Sequence, residues 1–159
     1  MSSPGSEEAR LCVSSYITAL NSRPRDLHAV LSYLAEDISF SATYPETSRN
    51  VNWSKSTEAE KYFSSLPEDF HMDSEIQKIE FFPESGEYHV ELAGWMALRA
   101  VVSVVGMACI LCEGKIRRIQ QRQLFSMSCP QCTQQFAISV RALFFYYFFL
   151  IVFFHLFVG

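Results

Sequence analysis

Four cysteines in the second half of the chain have the spacing of a metal site. Cys109-x2-Cys112 is followed, after sixteen residues, by Cys129-x2-Cys132. Two such pairs are a typical ligand set for tetrahedral zinc. The apolar run 101–111 favours a strand, however, and on a strand Cys109 and Cys112 point to opposite faces. The sequence leaves both interpretations open: a zinc-binding interaction module, or ordinary strand residues.

Two histidine–carboxylate pairs have the residue types for acid–base chemistry. His71 and Asp73 lie between a predicted helix and a predicted sheet, and His89 and Glu91 share one face of a predicted strand. A histidine beside a carboxylate titrates near neutral pH, as a general acid or base must. The other face of that strand is more apolar, so we expect it to turn toward the helices.

The composition of the chain argues against several classes of protein. The 159 residues suffice for one domain with a core, and a content of 49% hydrophobic and 19% charged residues argues against disorder. A net charge of −4 argues against a nucleic-acid partner. The N-terminus has no basic start followed by an apolar run, so we expect a cytoplasmic rather than a secreted protein, with reduced cysteines.

Hydrophobic spacing predicts two helices, a strand, a third helix and then four strands. Apolar residues at helical spacing predict helices over 9–20 and 27–34, the second capped by Asp26, and a third that starts with a Thr57–Glu60 capping box. Alternation predicts strands over 38–42, 76–82, 88–98, 100–112 and 116–125, with a polar loop over 46–55. This order predicts an α+β fold: a cone-shaped, curved antiparallel sheet with three helices packed on its concave face.

Four short segments carry a resemblance to a known superfamily. They are residues 15–21 (SYITALN), 26–30 (DLHAV), 33–38 (YLAEDI) and 113–116 (EGKI). They resemble nuclear transport factor 2-like domains, which include the SnoaL-like polyketide cyclases and the ketosteroid isomerases. The resemblance implies the cone-shaped fold with an apolar cavity, no cofactor, and a homodimer formed through the sheet.

Set against the ketosteroid isomerases, the chain matches one of three catalytic groups. Tyr16 lies where the family has the tyrosine that holds the oxyanion. Ala42 and Tyr44 stand where the general base would be, and residues 101–111 contain no carboxyl for the second acid. The comparison implies a domain that lacks the isomerase mechanism.

Three functions follow as expectations. The first is a non-catalytic binder of a small apolar ligand or a protein partner. The second is an isomerase, cyclase or dehydratase without a cofactor, with Tyr16, His71 and Asp73 as catalytic residues, and the third is the zinc module. We expect the cavity to be lined by aromatic and apolar residues from the first and third helices, the first strand and the loop that follows it: Tyr16, Leu20, Phe40, Tyr44, Trp53, Tyr62 and Phe63.

The end of the chain is unlike the rest. Residues 142–159 carry no formal charge, and as a helix they would reach about 27 Å, near the hydrocarbon thickness of a bilayer. The sequence predicts a disordered N-terminus (1–7), a SnoaL-like domain (8–125), a linker (126–136) and a hydrophobic segment (137–159). That segment is interpreted either as a tail anchor in an intracellular membrane or as a gene-model artefact.

Overall fold

The computed structural model describes residues 4–44, 48–98 and 101–128. The chain divides into two units, Met1–Met127 and Ser128–Gly159, and the description concerns the first. The described elements are three helices and six strands: α1 (Pro4–Leu20), α2 (Leu27–Ser32), β1 (Leu34–Tyr44), β2 (Arg49–Ser54), α3 (Ser56–Ser65), β3 (His71–Phe82), β4 (Glu87–Leu98), β5 (Val101–Cys112) and β6 (Lys115–Ser128).

The six strands form one sheet in the order β2-β1-β6-β5-β4-β3. The pairs β1–β2, β3–β4 and β4–β5 are antiparallel, whereas β1 runs parallel to β6. Gly86 and Gly114, with φ of 69° and 72°, supply the left-handed backbone in the tight turns before β4 and β6. The predicted α+β class is confirmed, whereas the prediction of an entirely antiparallel sheet is wrong, because β1 and β6 are parallel neighbours.

The core lies between the helices and one face of the sheet. Along α1, the buried residues Ala9, Cys12, Val13, Tyr16 and Leu20 recur at intervals of three and four, which is the spacing of one helical face. The strands bury alternate residues, as in β5, where odd-numbered positions from Ser103 to Leu111 are buried and even-numbered ones are half-buried. Each fully buried Val, Leu, Ile or Phe contributes about 1.5–3 kcal/mol.

Several boundaries differ from the sequence prediction. Residues 49–54, predicted as part of a polar loop, form β2, because Val51 and Trp53 alternate with exposed Asn50 and Asn52. Helix α1 begins at Pro4, and β1 begins at Leu34, where the sequence predicted the last turn of α2.

The start of α3 also differs. The predicted Thr57–Glu60 capping box is wrong, because the helix is preceded by Lys55 at a φ of 86° with no side-chain cap. Instead, the Glu58 carboxylate accepts a hydrogen bond from the Ser54 backbone N–H at 2.8 Å.

Two side chains in the α1–α2 connection hold the edge strand β3 and the end of α3. The Asn21 amide donates to the Met72 carbonyl at 2.6 Å and accepts from the Met72 N–H at 2.9 Å. The Arg25 guanidinium donates to the carbonyls of Leu66 and Pro67, each at 3.0 Å. These bonds fix the wall of the space between the helices and the sheet.

Candidate functional site

A cavity lies between α1, α3 and the inner face of the sheet. Its volume is about 40 Å³. The lining side chains are aromatic, aliphatic or thioether groups plus one amide: Tyr16, Leu20, Phe40, Tyr44, Tyr62, Phe63, Leu66, Phe70, Met72, Met96, Leu98, Met107 and Gln121. The polar groups of this lining are therefore three phenols and a glutamine amide.

Six of the seven predicted lining residues reach this cavity, and Trp53 lies behind it. The Trp53 indole stacks on Phe40 with ring centroids 4.9 Å apart and planes 7° from parallel. Its Nε1 is buried and has no hydrogen-bond partner within the described residues. Trp53 thus supports the wall and does not form it.

Helix α3 and the first two strands position the aromatic wall. The Tyr62 ring lies 5.1 Å from Phe40, 5.6 Å from Trp53 and 5.2 Å from Phe63, measured between centroids. Phe63 meets Tyr16 of α1 edge-on at 6.2 Å. Aromatic pairs of this geometry add about 0.5–1.5 kcal/mol each beyond the buried area. The cluster makes this side of the cavity rigid.

All three cavity phenols are held in the neutral form. Burial raises the pKa of Tyr16 well above its ordinary value, and the nearby Cys109 and Tyr62 raise it further. Burial also raises the pKa of Tyr62 and of Tyr44, which share a hydrogen bond. A phenol with a raised pKa donates hydrogen bonds at neutral pH but does not act as a base.

A polar patch lies on the inner face of β5 and β6, and it was not among the sequence predictions. Ser103, Gln121 and Gln123 are 4%, 7% and 6% exposed. The Gln121 Nε2 donates to the Met96 sulfur at 3.3 Å, and the Gln123 Nε2 donates to the Ser103 hydroxyl at 2.9 Å. The Gln123 Oε1 is buried with no hydrogen-bond partner in the described part of the chain.

His71 and Asp73 lie on the outer face of the sheet, away from the cavity. On β3 they flank Met72, which is buried in the core, and they pair with Ala97 and Trp95 of β4. Burial lowers the pKa of His71, although Asp73 opposes this shift. The structure therefore does not bring either side chain together with Tyr16.

The second histidine–carboxylate pair also lies outside the cavity. His89 and Glu91 alternate along β4 with buried Val90, so they occupy the outer face. The His89 ring is tilted by 37° relative to the ring of exposed Phe82, at a centroid distance of 4.2 Å, and its Nε2 lies 3.5 Å from the Glu87 carboxylate. The apolar face of β4 turns toward the helices, as the sequence pattern predicts.

The cysteines of β5 do not converge on a metal position. Cys109 is fully buried on the inner face, where burial raises the pKa of its thiol to about 12, whereas Cys112 is half-buried on the outer face. Cys129 and Cys132 lie outside the described residues. Within the described ranges, no group of three or more His, Cys, Asp or Glu side chains could hold a metal ion.

The predicted hydrophobic segment 137–159 lies outside the described residues, so its anchor role stays a prediction. No helix in the part of the chain that the structure describes is long and apolar enough to cross a membrane.

Solved structures share this fold at low sequence identity. An LEH-like epoxide hydrolase from M. tuberculosis is 14% identical, with a TM-score of 0.54 over 76% of this chain and 85% of its own. A candidate ketosteroid isomerase from Kribbella flavida is 18% identical, with a TM-score of 0.53 over 78% and 83%. An NTF2-like protein of unknown function from Cytophaga hutchinsonii is 17% identical, with a TM-score of 0.54 over 72% and 88%.

These likenesses confirm the predicted nuclear transport factor 2-like fold. No protein-family model matches the sequence, and no curated protein matches it.

Proposed function

We propose that this chain, which has the nuclear transport factor 2-like fold, binds a small, largely apolar molecule in its cavity and does not transform it. One observation carries the proposal: the thirteen described lining residues include no carboxylate and no imidazole. General acid–base catalysis needs a group that titrates near the working pH. The lining phenols have raised pKa values, and the remaining polar group is an amide.

The competing enzyme hypothesis combines Tyr16 with His71 or Asp73 as an isomerase or lyase. It requires a side chain on the inner face of α1 to work with side chains on the opposite side of the sheet. Because Met72 lies between His71 and Asp73 and points into the core, the strand itself separates these groups. The geometry favours binding over proton transfer.

The cavity must enlarge before it can hold a ligand. Its volume of about 40 Å³ is comparable to the ~30 Å³ that one water occupies in the liquid. Ligand pockets commonly have roughly 300–1,000 Å³. Met72, Met96 and Met107 line the cavity, and unbranched thioether chains repack at low cost. We infer that these methionines move to admit the ligand while the aromatic wall stays in place.

The test uses toluene as a probe of apolar binding by the full chain. Saturation-transfer NMR should show saturable binding to the wild-type protein. Met107→Phe fills the cavity and should weaken this binding at least about tenfold, because the added ring occupies the space that the methionines would open for the probe. Val104→Phe, on the outer face of the same strand, is the matched control and should bind as the wild type does.

Three results would overturn the proposal. Equal toluene binding by both variants would place the probe elsewhere, and absence of binding to the wild type would remove the ligand role. Turnover of an epoxide or an enolisable ketone by the purified chain would contradict the non-catalytic assignment. In that case Tyr16→Phe should abolish turnover and His71→Ala should not, because Tyr16 lines the cavity and His71 does not.

A further inference from the structure

A pair of stacked rings ends at the wall of the cavity. The Trp53 indole and the Phe40 ring lie 4.9 Å apart between centroids, with planes 7° from parallel. Phe40 lines the cavity, whereas Trp53 is not among the described lining residues. Phe40 therefore borders the cavity with the side of its ring that points away from Trp53.

No second ring of the described residues covers that side of Phe40. The other ring in contact with Phe40 is Tyr62, at 5.1 Å, and Tyr62 also lies 5.6 Å from Trp53. A ring on the far face of Phe40 would lie much farther from Trp53 than Phe40 does. Because Tyr62 is nearly equidistant from both members of the pair, it lies beside the stack. The face of Phe40 opposite Trp53 is thus free of aromatic contacts in the described part of the chain.

Thioether groups line the other end of the cavity. Met72, Met96 and Met107 belong to β3, β4 and β5, which β6 separates from β1 and Phe40. Thioether sulfur makes favourable contacts with aromatic rings, commonly at the ring edge. A flat ring between the two groups of residues would meet an aromatic face on one side and polarizable sulfur on the other.

We propose that the cavity takes a neutral molecule with an aromatic ring, and that this ring extends the Trp53–Phe40 stack as its third member. The inference rests on the proposed ligand-binding function of the cavity, and it narrows the ligand from apolar molecules in general to aromatic ones. An offset ring on Phe40 gains a stacking contact that a saturated ring does not. Trp53 holds Phe40 from behind, so the stacking surface is in place before the ligand binds.

The charge and the size of the cavity narrow the ligand further. The described lining residues include no Lys, Arg, Asp, Glu or His, so a charged group on the ligand would be buried without a counter-charge. The cavity of about 40 Å³ must enlarge to admit any ring. A flat ring displaces the methionines less than a puckered ring, which is thicker.

The test compares toluene with methylcyclohexane, which share a carbon skeleton and differ in the aromaticity of the ring. NMR titration of the full chain gives the affinity of the wild type and of Phe40→Leu for each probe. Phe40→Leu removes the ring and keeps an apolar side chain. Toluene affinity should therefore fall about three- to tenfold, while methylcyclohexane affinity changes by less than about twofold. Comparing each probe across the two proteins cancels the difference in hydrophobicity between the probes.

Phe70→Leu is the matched control. Phe70 also lines the cavity, but the Arg25 guanidinium lies over its ring, 5.7 Å from the centroid, and it is outside the Trp53–Phe40 stack. This change should alter the affinities for both probes by the same factor, within about twofold. A selective loss of toluene affinity in Phe70→Leu would place the ligand ring on Phe70 and overturn the inference.

A measurement on the wild type keeps the test independent of how the variants fold. Protons that lie over the face of an aromatic ring are shifted upfield by its ring current. The ring protons of bound toluene should therefore move upfield from their positions in free toluene. Ring-proton signals that stay in place or move downfield at saturation would contradict the stack, even if Phe40→Leu does not fold.

The outcomes separate this inference from the proposed function. If Phe40→Leu lowers toluene affinity no more than methylcyclohexane affinity, the aromatic assignment is overturned and cavity binding still stands. Binding of neither probe to the wild type overturns both proposals.

Discussion

The Gln121 side chain donates its amide hydrogen to the sulfur of Met96, 3.3 Å away, in a cavity whose other described polar groups are three phenols. The pairing joins β6 to β4 across β5, and it uses a weak acceptor where the fold could have placed an aliphatic side chain. Met96 is also one of three methionines that can change rotamer to enlarge the cavity. The Gln121–Met96 contact thus joins a methionine that keeps the cavity closed to the polar side chain that a ligand would contact.

Asn21 should be a large contributor to the stability of the edge strand. Its two hydrogen bonds to the Met72 backbone replace strand pairing that β3 lacks on that side. Asn21→Ala should lower the free energy of unfolding by about 1–3 kcal/mol, since it leaves two part-buried backbone groups unpaired. Urea unfolding measures this, with Asn52→Ala at an exposed position of β2 as the control, and an equal effect of both changes would contradict the assignment.

Lys55 should be a point of backbone strain. It has φ 86° and ψ 148°, a region that is essentially reserved for glycine and costs other residues about 1–3 kcal/mol. Lys55→Gly should therefore raise the urea midpoint. Lys61→Gly, within α3, should lower it, because glycine in a helix interior costs about 1 kcal/mol. A lower midpoint for Lys55→Gly would show that the Lys55 conformation is not strained.

His71 should make the fold less stable in mild acid. Burial lowers the pKa of His71 in the folded state below its ordinary value of about 6.5, so the unfolded chain binds the proton more readily. The stability associated with neutral His71 is fully present above about pH 6.5. It is lost as the pH falls from that value through the pKa of His71 in the folded state. His71→Gln should reduce the difference in urea midpoint between pH 7.5 and pH 5.0.

Exposed His28 on α2 supplies the control for this measurement. The variant His28→Gln should keep the wild-type difference between the two pH values. If the variant His71→Gln kept the full wild-type difference in urea midpoint, His71 would not be the source of the pH dependence.

The outer face of the sheet has the charge arrangement of a self-complementary surface. Half-buried apolar residues on β5, among them Val104 and Ile110, lie between Arg118 and Arg122 on β6 and Glu91 on β4. A second copy related by a two-fold axis through β5 would place the arginines of each copy against the glutamate of the other. We therefore predict a homodimer through this face.

Sedimentation of the full chain tests the dimer. Ile110→Arg should shift the population toward monomer, because it places an unpaired charge at the centre of the contact. Leu11→Arg, at an exposed position of α1, should leave the dimer unchanged. A monomeric wild type, or an equal effect of both changes, would contradict the prediction.

Helical and strand periodicity was sufficient to predict the order of the elements and most of the cavity wall. Tyr16, Leu20, Phe40 and Tyr62 follow from apolar spacing, because the face that packs against the sheet also faces the cavity. The strand β2 carried a usable signal, since Val51 and Trp53 alternate with polar residues, but its polar flanks favoured a loop.

The misplaced and missed site residues have physical explanations. His71 and Asp73 alternate with buried Phe70 and Met72, a period of two that assigns them to the outer face. Gln121 and Gln123 point inward but are polar, as is Arg122 between them, which points outward. The local sequence therefore shows no apolar–polar alternation that would distinguish the inner face of β6 from its outer face. Their direction depends on the register of β6 beside β1, which the local sequence does not reveal.

Methyl NMR of the full chain labelled at its methionines gives the most direct test of the cavity as a ligand site. Addition of toluene should shift the methyl signals of Met72, Met96 and Met107, which line the cavity. Met107→Phe should abolish the shifts of Met72 and Met96. Unchanged signals from all three lining methionines at toluene saturation would contradict a ligand-binding cavity.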